Sequence, residues 1–322
     1  MRSDDCLVIN VDTENRQRHA RISAERLREL VHRIGGAGDH YLVVKRIPDI
    51  PDVFVQVWHE HGEDYQVEHR EGRDRFFGTV VGDRDRVAAA LTGWAREDAG
   101  WDAGITWEPI VQDAPQEVPE LPADVRDEVE TRIRELLRCG YDDRAQLAED
   151  AEEYLVDDDD RPVSPAQARE LVDRLWRERL AEQATWREIT DPERLTDAFE
   201  ALDASGITAR ENFTCCRSCG SAEIGAERGE GARGFVYFHS QCTQSAAAGH
   251  GLTLFYGGFD GSAETTAAVG GEVVAALDAA GLSTSWDGSP DTAIQVTGLT
   301  WHKRLVGQGL TASDSRQGAS GP

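Results

Sequence analysis

Three cysteines in five positions constrain this chain more than any other feature. They lie in Phe213-Thr-Cys-Cys-Arg-Ser-Cys-Gly-Ser-Ala-Glu-Ile224, which holds Cys215, Cys216 and Cys219. The chain has 322 residues and only 6 cysteines. Further along, Phe235-Val-Tyr-Phe-His-Ser-Gln-Cys242 adds His239 and a fourth thiol, Cys242. Cys216-x-x-Cys219 is the usual bite of two thiolates on one metal ion, and structural zinc needs four tetrahedral ligands. His239 and Cys242 stand three apart and form a second pair if their strand ends beside the first. Zinc held by Cys216, Cys219, His239 and Cys242 is therefore the expected site, with Cys215 as an alternative ligand. Two other readings stay open. A C-x-x-C at a helix start has its thiol pKa lowered by the positive end of the helix, so Cys216 and Cys219 could be a redox or nucleophilic pair with His239 as proton carrier. Ser221-Ala-Glu-Ile224 could begin such a helix, although no thioredoxin-like β-α-β pattern precedes the motif. Alternatively, the cysteines are small apolar residues packed between strand and helix.

Composition narrows the setting. The formal charge is −26 and the isoelectric point about 4.7, so on average the chain repels phosphate backbones, and no nucleic-acid partner is expected. Mean hydropathy is −0.51, and no apolar run approaches the roughly 18 residues of a membrane span. Met1-Arg-Ser-Asp-Asp-Cys-Leu7 lacks the apolar core of a secretory signal. A cytoplasmic location follows as the expectation, and there cysteines stay reduced and bind metal or do thiol chemistry more often than they form disulfides. Lys45 and Lys303 are the only lysines among 34 basic residues. With the abundant Ala, Gly, Asp and Arg, this fits the high-GC coding bias of actinobacteria; a halophile would give a similar balance.

The order of periodic segments predicts an α+β protein. In residues 1–111, a polar lead gives way to a helix capped by Ser23 and bearing Leu27, Leu30, Val31 and Ile34. Strand-like runs follow at Tyr41–Ile47, Val53–Trp58, Tyr65–His69 and Phe76–Val81, and then a helix from about Asp83 to Asp98. Short breaks between the runs predict an antiparallel meander covered by the two helices on one face. His59, His61 and His69 could meet a metal on that sheet, against the plainer account of a polar strand end; Trp94, Trp101 and Trp107 read as packing. Three prolines mark residues 112–122 as a linker. Residues 123–204 read as a helical arm of four helices, two of them opened by Ser164-Pro-Ala-Gln167 and Thr190-Asp-Pro-Glu193. The acidic run Asp157–Asp160 lacks the alternation, the central Gly and the final Glu of a calcium loop, and reads as a solvated loop. Residues 205–306 read as a mixed α+β layer with strands at Phe235–His239, Leu252–Tyr256, Leu282–Trp286 and Ala293–Thr297 and a helix over Ser262–Ala280. Neither Gly-rich loop there matches a phosphate cradle. Residues 307–322 read as a disordered tail.

Asn212-Phe-Thr-Cys-Cys-Arg-Ser-Cys-Gly220, followed by Glu223-Ile224 and Phe238-His239, resembles an uncharacterised bacterial family, the DUF6891 domain. Thr190-Asp-Pro-Glu-Arg-Leu195, Leu254-Phe-Tyr-Gly257 and Trp286-Asp-Gly-Ser289 also fit, so the resemblance covers about residues 123–306. The family pattern continues as Asp-Thr-Glu where this chain has Cys242-Thr243-Gln244, which puts any role for a carboxylate there in doubt and makes Cys242 peculiar to this chain. The family name implies no activity. The amino-terminal layout, including Tyr65-Gln-Val-Glu-His-Arg-Glu-Gly72, resembles small actinobacterial immunity-type proteins. The expected function is a non-enzymatic interaction or regulatory protein, with an unidentified protein partner and a cysteine-rich, zinc-binding structural site. The alternative is a zinc- or thiolate-dependent enzyme built on Cys216, Cys219 and His239.

Overall fold

Apolar residues at every second position build the first sheet. Val55 and Val57 on one strand and Leu42 and Val44 on the next are fully buried, while the residues between them point to the other face. The computed structural model describes residues 6–111, 118–158 and 160–305; the first part of the expected linker, residues 112–117, and the expected tail lie outside them. The chain divides into two units, Met1–Glu120 and Leu121–Pro322, and together they make an α+β protein.

In the first unit the elements run β1 (Ile9–Thr13), β2 (Arg18–Ala20), α1 (Ala24–Arg33), β3 (Tyr41–Arg46), β4 (Val53–Trp58), β5 (Tyr65–Glu71), β6 (Phe76–Val81), α2 (Arg84–Arg96) and β7 (Glu108–Pro109). Seven strands pair antiparallel in the order β2-β1-β3-β4-β5-β6-β7. Leu27, Leu30 and Val31 of α1 and Val87, Leu91 and Trp94 of α2 share one core with the inward sheet residues. The meander was expected; β1 and β2 were not. Ile9 and Val11 are fully buried and alternate with polar neighbours, but β1 is only five residues long and its polar flanks read as a lead. Ser23 caps α1 by accepting from the Arg26 amide.

The second unit begins with α3 (Ala123–Cys139), α4 (Arg144–Glu153) and α5 (Pro165–Gln183). They close on Val129, Ile133, Leu147, Val172, Leu175 and Trp176. Full capping boxes open α5 at Ser164/Gln167 and α6 (Asp191–Ala204) at Thr190/Glu193, because each hydroxyl and each side-chain carbonyl satisfies an amide the helix start leaves free. Then come β8 (Ile207–Arg210), α7 (Arg217–Glu223), β9 (Gly234–Tyr237), α8 (Ser240–Ala247), β10 (Leu252–Gly258), α9 (Ala263–Ala279), β11 (Ser283–Ser285) and β12 (Ile294–Thr297). The five strands are ordered β11-β12-β10-β9-β8. All neighbours are antiparallel except β8 and β9. α6 and α9 supply Phe199, Leu202, Val273 and Leu277 to the core over this sheet. Asp157 and Asp160 bridge each other across a tight turn, with Asp159 outside the described residues.

Candidate metal centre

The cysteine loop owes its place to the one parallel strand pair of the second unit's sheet. Parallel neighbours need a long crossover, and residues 211–233 provide it, with α7 as its helix. Arg210 stands level with Tyr237 in the register. The chain therefore leaves β8 toward the cysteines and β9 toward His239 at the same edge of the sheet, the end where open α/β sheets gather ligands. The motif lies inside a β-α-β crossover rather than after one.

Hydrogen bonds lace the two exits together. The Phe213 amide donates to the Phe238 carbonyl at 2.7 Å, and the Ser240 amide donates to the Thr214 carbonyl at 3.1 Å. The Ser240 hydroxyl donates to the Cys215 carbonyl at 3.1 Å, and the fully buried Thr243 hydroxyl donates to Asn212 Oδ1 at 2.7 Å. These bonds hold a backbone that is otherwise unfavourable: Asn212 and Thr214 both have left-handed φ, +47° and +61°. Such residues cost of order 1 kcal/mol each and gather at functional sites.

Cys216 is the N-cap of α7, so that helix begins at Arg217 and not at Ser221. One turn on, Gly220 is buried against β9: a Cβ there would lie too close to Cε2 of the Tyr237 ring for any real contact. The helix can settle on the sheet only because that atom is missing. The Tyr237 hydroxyl then donates to the Arg217 carbonyl at 3.2 Å and lies 3.0 Å from Ser221 Oγ. Gly220, Tyr237 and Ser240 are positioning residues that the sequence reading did not single out. A glycine directly after the second cysteine of C-x-x-C was the available signal.

The result is that the sulfurs of Cys215, Cys216 and Cys219 all lie within 4.8 Å of one another, with Cys215 and Cys219 at 3.6 Å. Around one zinc at Zn–S of about 2.3 Å, tetrahedral thiolates stand about 3.8 Å apart, so the trio needs little adjustment to share an ion. Cys215 is exposed and the other two are half-buried. No side-chain capping bond closes at Cys216, yet the Cys219 amide facing its sulfur, followed by the Cys219 and Cys215 thiols, holds that thiol below the ordinary cysteine range. Cys219 moves the other way, pushed up to about 11 by its hydrogen bonds to Cys215 and then Cys216. The cluster thus eases ionisation at Cys216 and opposes it at Cys219.

His239 and Cys242 meet each other instead. Cys242 Sγ lies 3.4 Å from Nε2 and 3.6 Å from Nδ1 of His239, and the imidazole stacks on Phe255 with centroids 5.4 Å apart. Both residues are buried, which lowers the His239 pKa and raises that of Cys242. Among the described residues, the three cysteines are the one set of three or more His, Cys, Asp or Glu ligand atoms in mutual reach. The histidines of the first unit also find other work. His59 stacks on Tyr65 at 3.9 Å, and His69 sits among Phe77, Trp101 and Trp107.

A helical arm leading into a mixed sheet, with a three-thiol loop in its parallel crossover, defines the second unit. Residues 122–305, more than half the chain, match the family model described as "Domain of unknown function (DUF6891)". The chain belongs to that DUF6891 family. No curated protein and no solved structure matches it. No helix among the described residues is long and apolar enough to cross a membrane.

Proposed function

We propose that the DUF6891 unit is a metal-binding interaction module in which Cys215, Cys216 and Cys219 hold one zinc ion as thiolates. The convergence of three sulfurs within 4.8 Å on a loop pinned by cross-motif hydrogen bonds carries this reading. Thiolate donors select soft and borderline ions such as zinc, and three of them leave one tetrahedral place for water or a ligand from a partner. His239 and Cys242 act as a buried support that fixes the start of α8 beside the loop, rather than as the second ligand pair. Binding must displace the Cys219 proton, so affinity falls as pH falls.

The exposure of Cys215 at the loop surface favours a docking or regulatory role in a reducing compartment. An enzymatic role through Cys216 would call for an acid or base at the cluster. Among the described residues no histidine or carboxylate joins the three sulfurs within 4.8 Å, and both ring nitrogens of His239 face Cys242. The binding reading is therefore the stronger.

The test is metal content of full-length protein and its variants after purification under reducing conditions. Cys215→Ser, Cys216→Ser and Cys219→Ser each lose the zinc, whereas His239→Ala and Cys242→Ala keep it. Zinc that survives loss of Cys215 but disappears with His239 would overturn this ligand set in favour of the tetrad.

A further inference from the structure

We propose that Cys215 is an oxidation site for hydrogen peroxide, and that Cys219 resolves the product into a Cys215–Cys219 disulfide that dismantles the metal site. The inference rests on the three-thiolate reading and adds its regulation. Cys215 is the exposed member of the cluster, so a small oxidant reaches it without any opening of the fold. Its sulfur already lies 3.6 Å from that of Cys219; a disulfide at about 2.05 Å needs a further approach of about 1.5 Å. Cys6 is also exposed, but its thiol donates to the Arg21 carbonyl at 3.1 Å in the first unit, and Cys216 is less exposed than Cys215. Cys242 and Cys139 are buried. Cys216 is the next residue in the chain, and consecutive Cα atoms about 3.8 Å apart fall short of the roughly 4.4–6.8 Å that disulfides span.

The chemistry balances with peroxide as the only oxidant. The Cys215 thiolate attacks one peroxide oxygen, the O–O bond breaks, and sulfur keeps a hydroxyl group while the other oxygen leaves as hydroxide and takes a proton from solvent to become water. The Cys219 thiolate then attacks the sulfenic sulfur, the S–S bond forms, and hydroxide leaves and takes a proton from solvent to become the second water. The two thiols lose two electrons and peroxide gains them. Of the three ligands only Cys216 remains a thiol, and one thiolate does not retain zinc. A reducing thiol reverses the change by exchange.

Full-length reduced, zinc-loaded protein treated with hydrogen peroxide supplies the test, read by peptide mass mapping and by zinc released to a chromogenic chelator. Trypsin cuts after Arg217, between the two cysteines, so the expected disulfide joins two peptides. The expected result is that linkage together with zinc release, both reversed by dithiothreitol. Cys219→Ser should stop at a sulfenic acid on Cys215, trapped by dimedone. Cys216→Ser should lose zinc yet still form the Cys215–Cys219 linkage. Disulfide formation in a wild-type protein that never binds zinc would sink the metal reading and leave the oxidation site standing. Free Cys215 after excess peroxide, or oxidation that ends at Cys216–Cys219 or between chains, would overturn the proposal.

Discussion

Gly220 decides where α7 rests, because any side chain there would clash with the Tyr237 ring. Gly220→Ala is expected to cost about 1–3 kcal/mol, the usual range for overpacking a tight contact. It should also weaken zinc binding although all three thiols remain. Denaturant unfolding and a zinc-competition titration check both parts, and unchanged affinity would separate the helix seat from the site. A different residue is expected to contribute to the pH response of the first unit. His69 is buried among Phe77, Trp101 and Trp107, and burial lowers its pKa from 6.5. The folded state therefore prefers the neutral ring. The stability this preference contributes is complete above the unfolded value near 6.5 and is lost as pH falls from there through the lower folded value. His69→Phe should flatten that acid slope, measured by tryptophan fluorescence across denaturant at a series of pH values. An unaltered slope would assign the response to His19 or His59, whose pKa values burial also lowers.

At the scale of elements, the parallel pairing of β8 with β9 turns two motifs distant in sequence into one edge. Thr243 on α8 ties that edge to the loop through Asn212. Thr243→Val keeps the shape but leaves the half-buried Asn212 acceptor without its donor, at an expected cost of about 1 kcal/mol. Thermal unfolding of the second unit reads this loss, and a stability equal to wild type would mean that the loop stands without the tie. The same elements show how far the sequence could be read. Helices with strong caps, such as α5 and α6, and strands with clean alternation, such as β4, were legible because local chemistry determines them. β8 was not: its four residues are all buried but include Thr208 and Arg210, so no alternation marks it. Arg210 is tolerated there because Asp203 and Glu227 take its guanidinium, partners no local pattern reveals. α8 was missed because its eight residues carry little apolar periodicity, and only packing against β10 and α3 gives it a buried face at Cys242 and Ala246. The cysteine trio was visible as a cluster. Its grouping without His239 depends on backbone turns at Asn212 and Thr214 that spacing does not encode.

At the scale of the molecule, the two units have separate cores, one over the seven-stranded sheet and others in the helical arm and five-stranded layer. Each is expected to fold by itself: residues 1–111 and residues 118–322 should each give a cooperative melt, and a fragment that does not would place the boundary elsewhere. The formal charge of −26 repels polyanions on average. The account turns on the metal. Its most direct test is the zinc content of reduced, full-length wild-type protein by inductively coupled plasma mass spectrometry after zinc loading and desalting. The account predicts about one zinc ion per chain, as a single shared site of three thiolates and one exchangeable ligand requires. Zinc at background level, with Cys215, Cys216 and Cys219 all reduced and reactive, would contradict it.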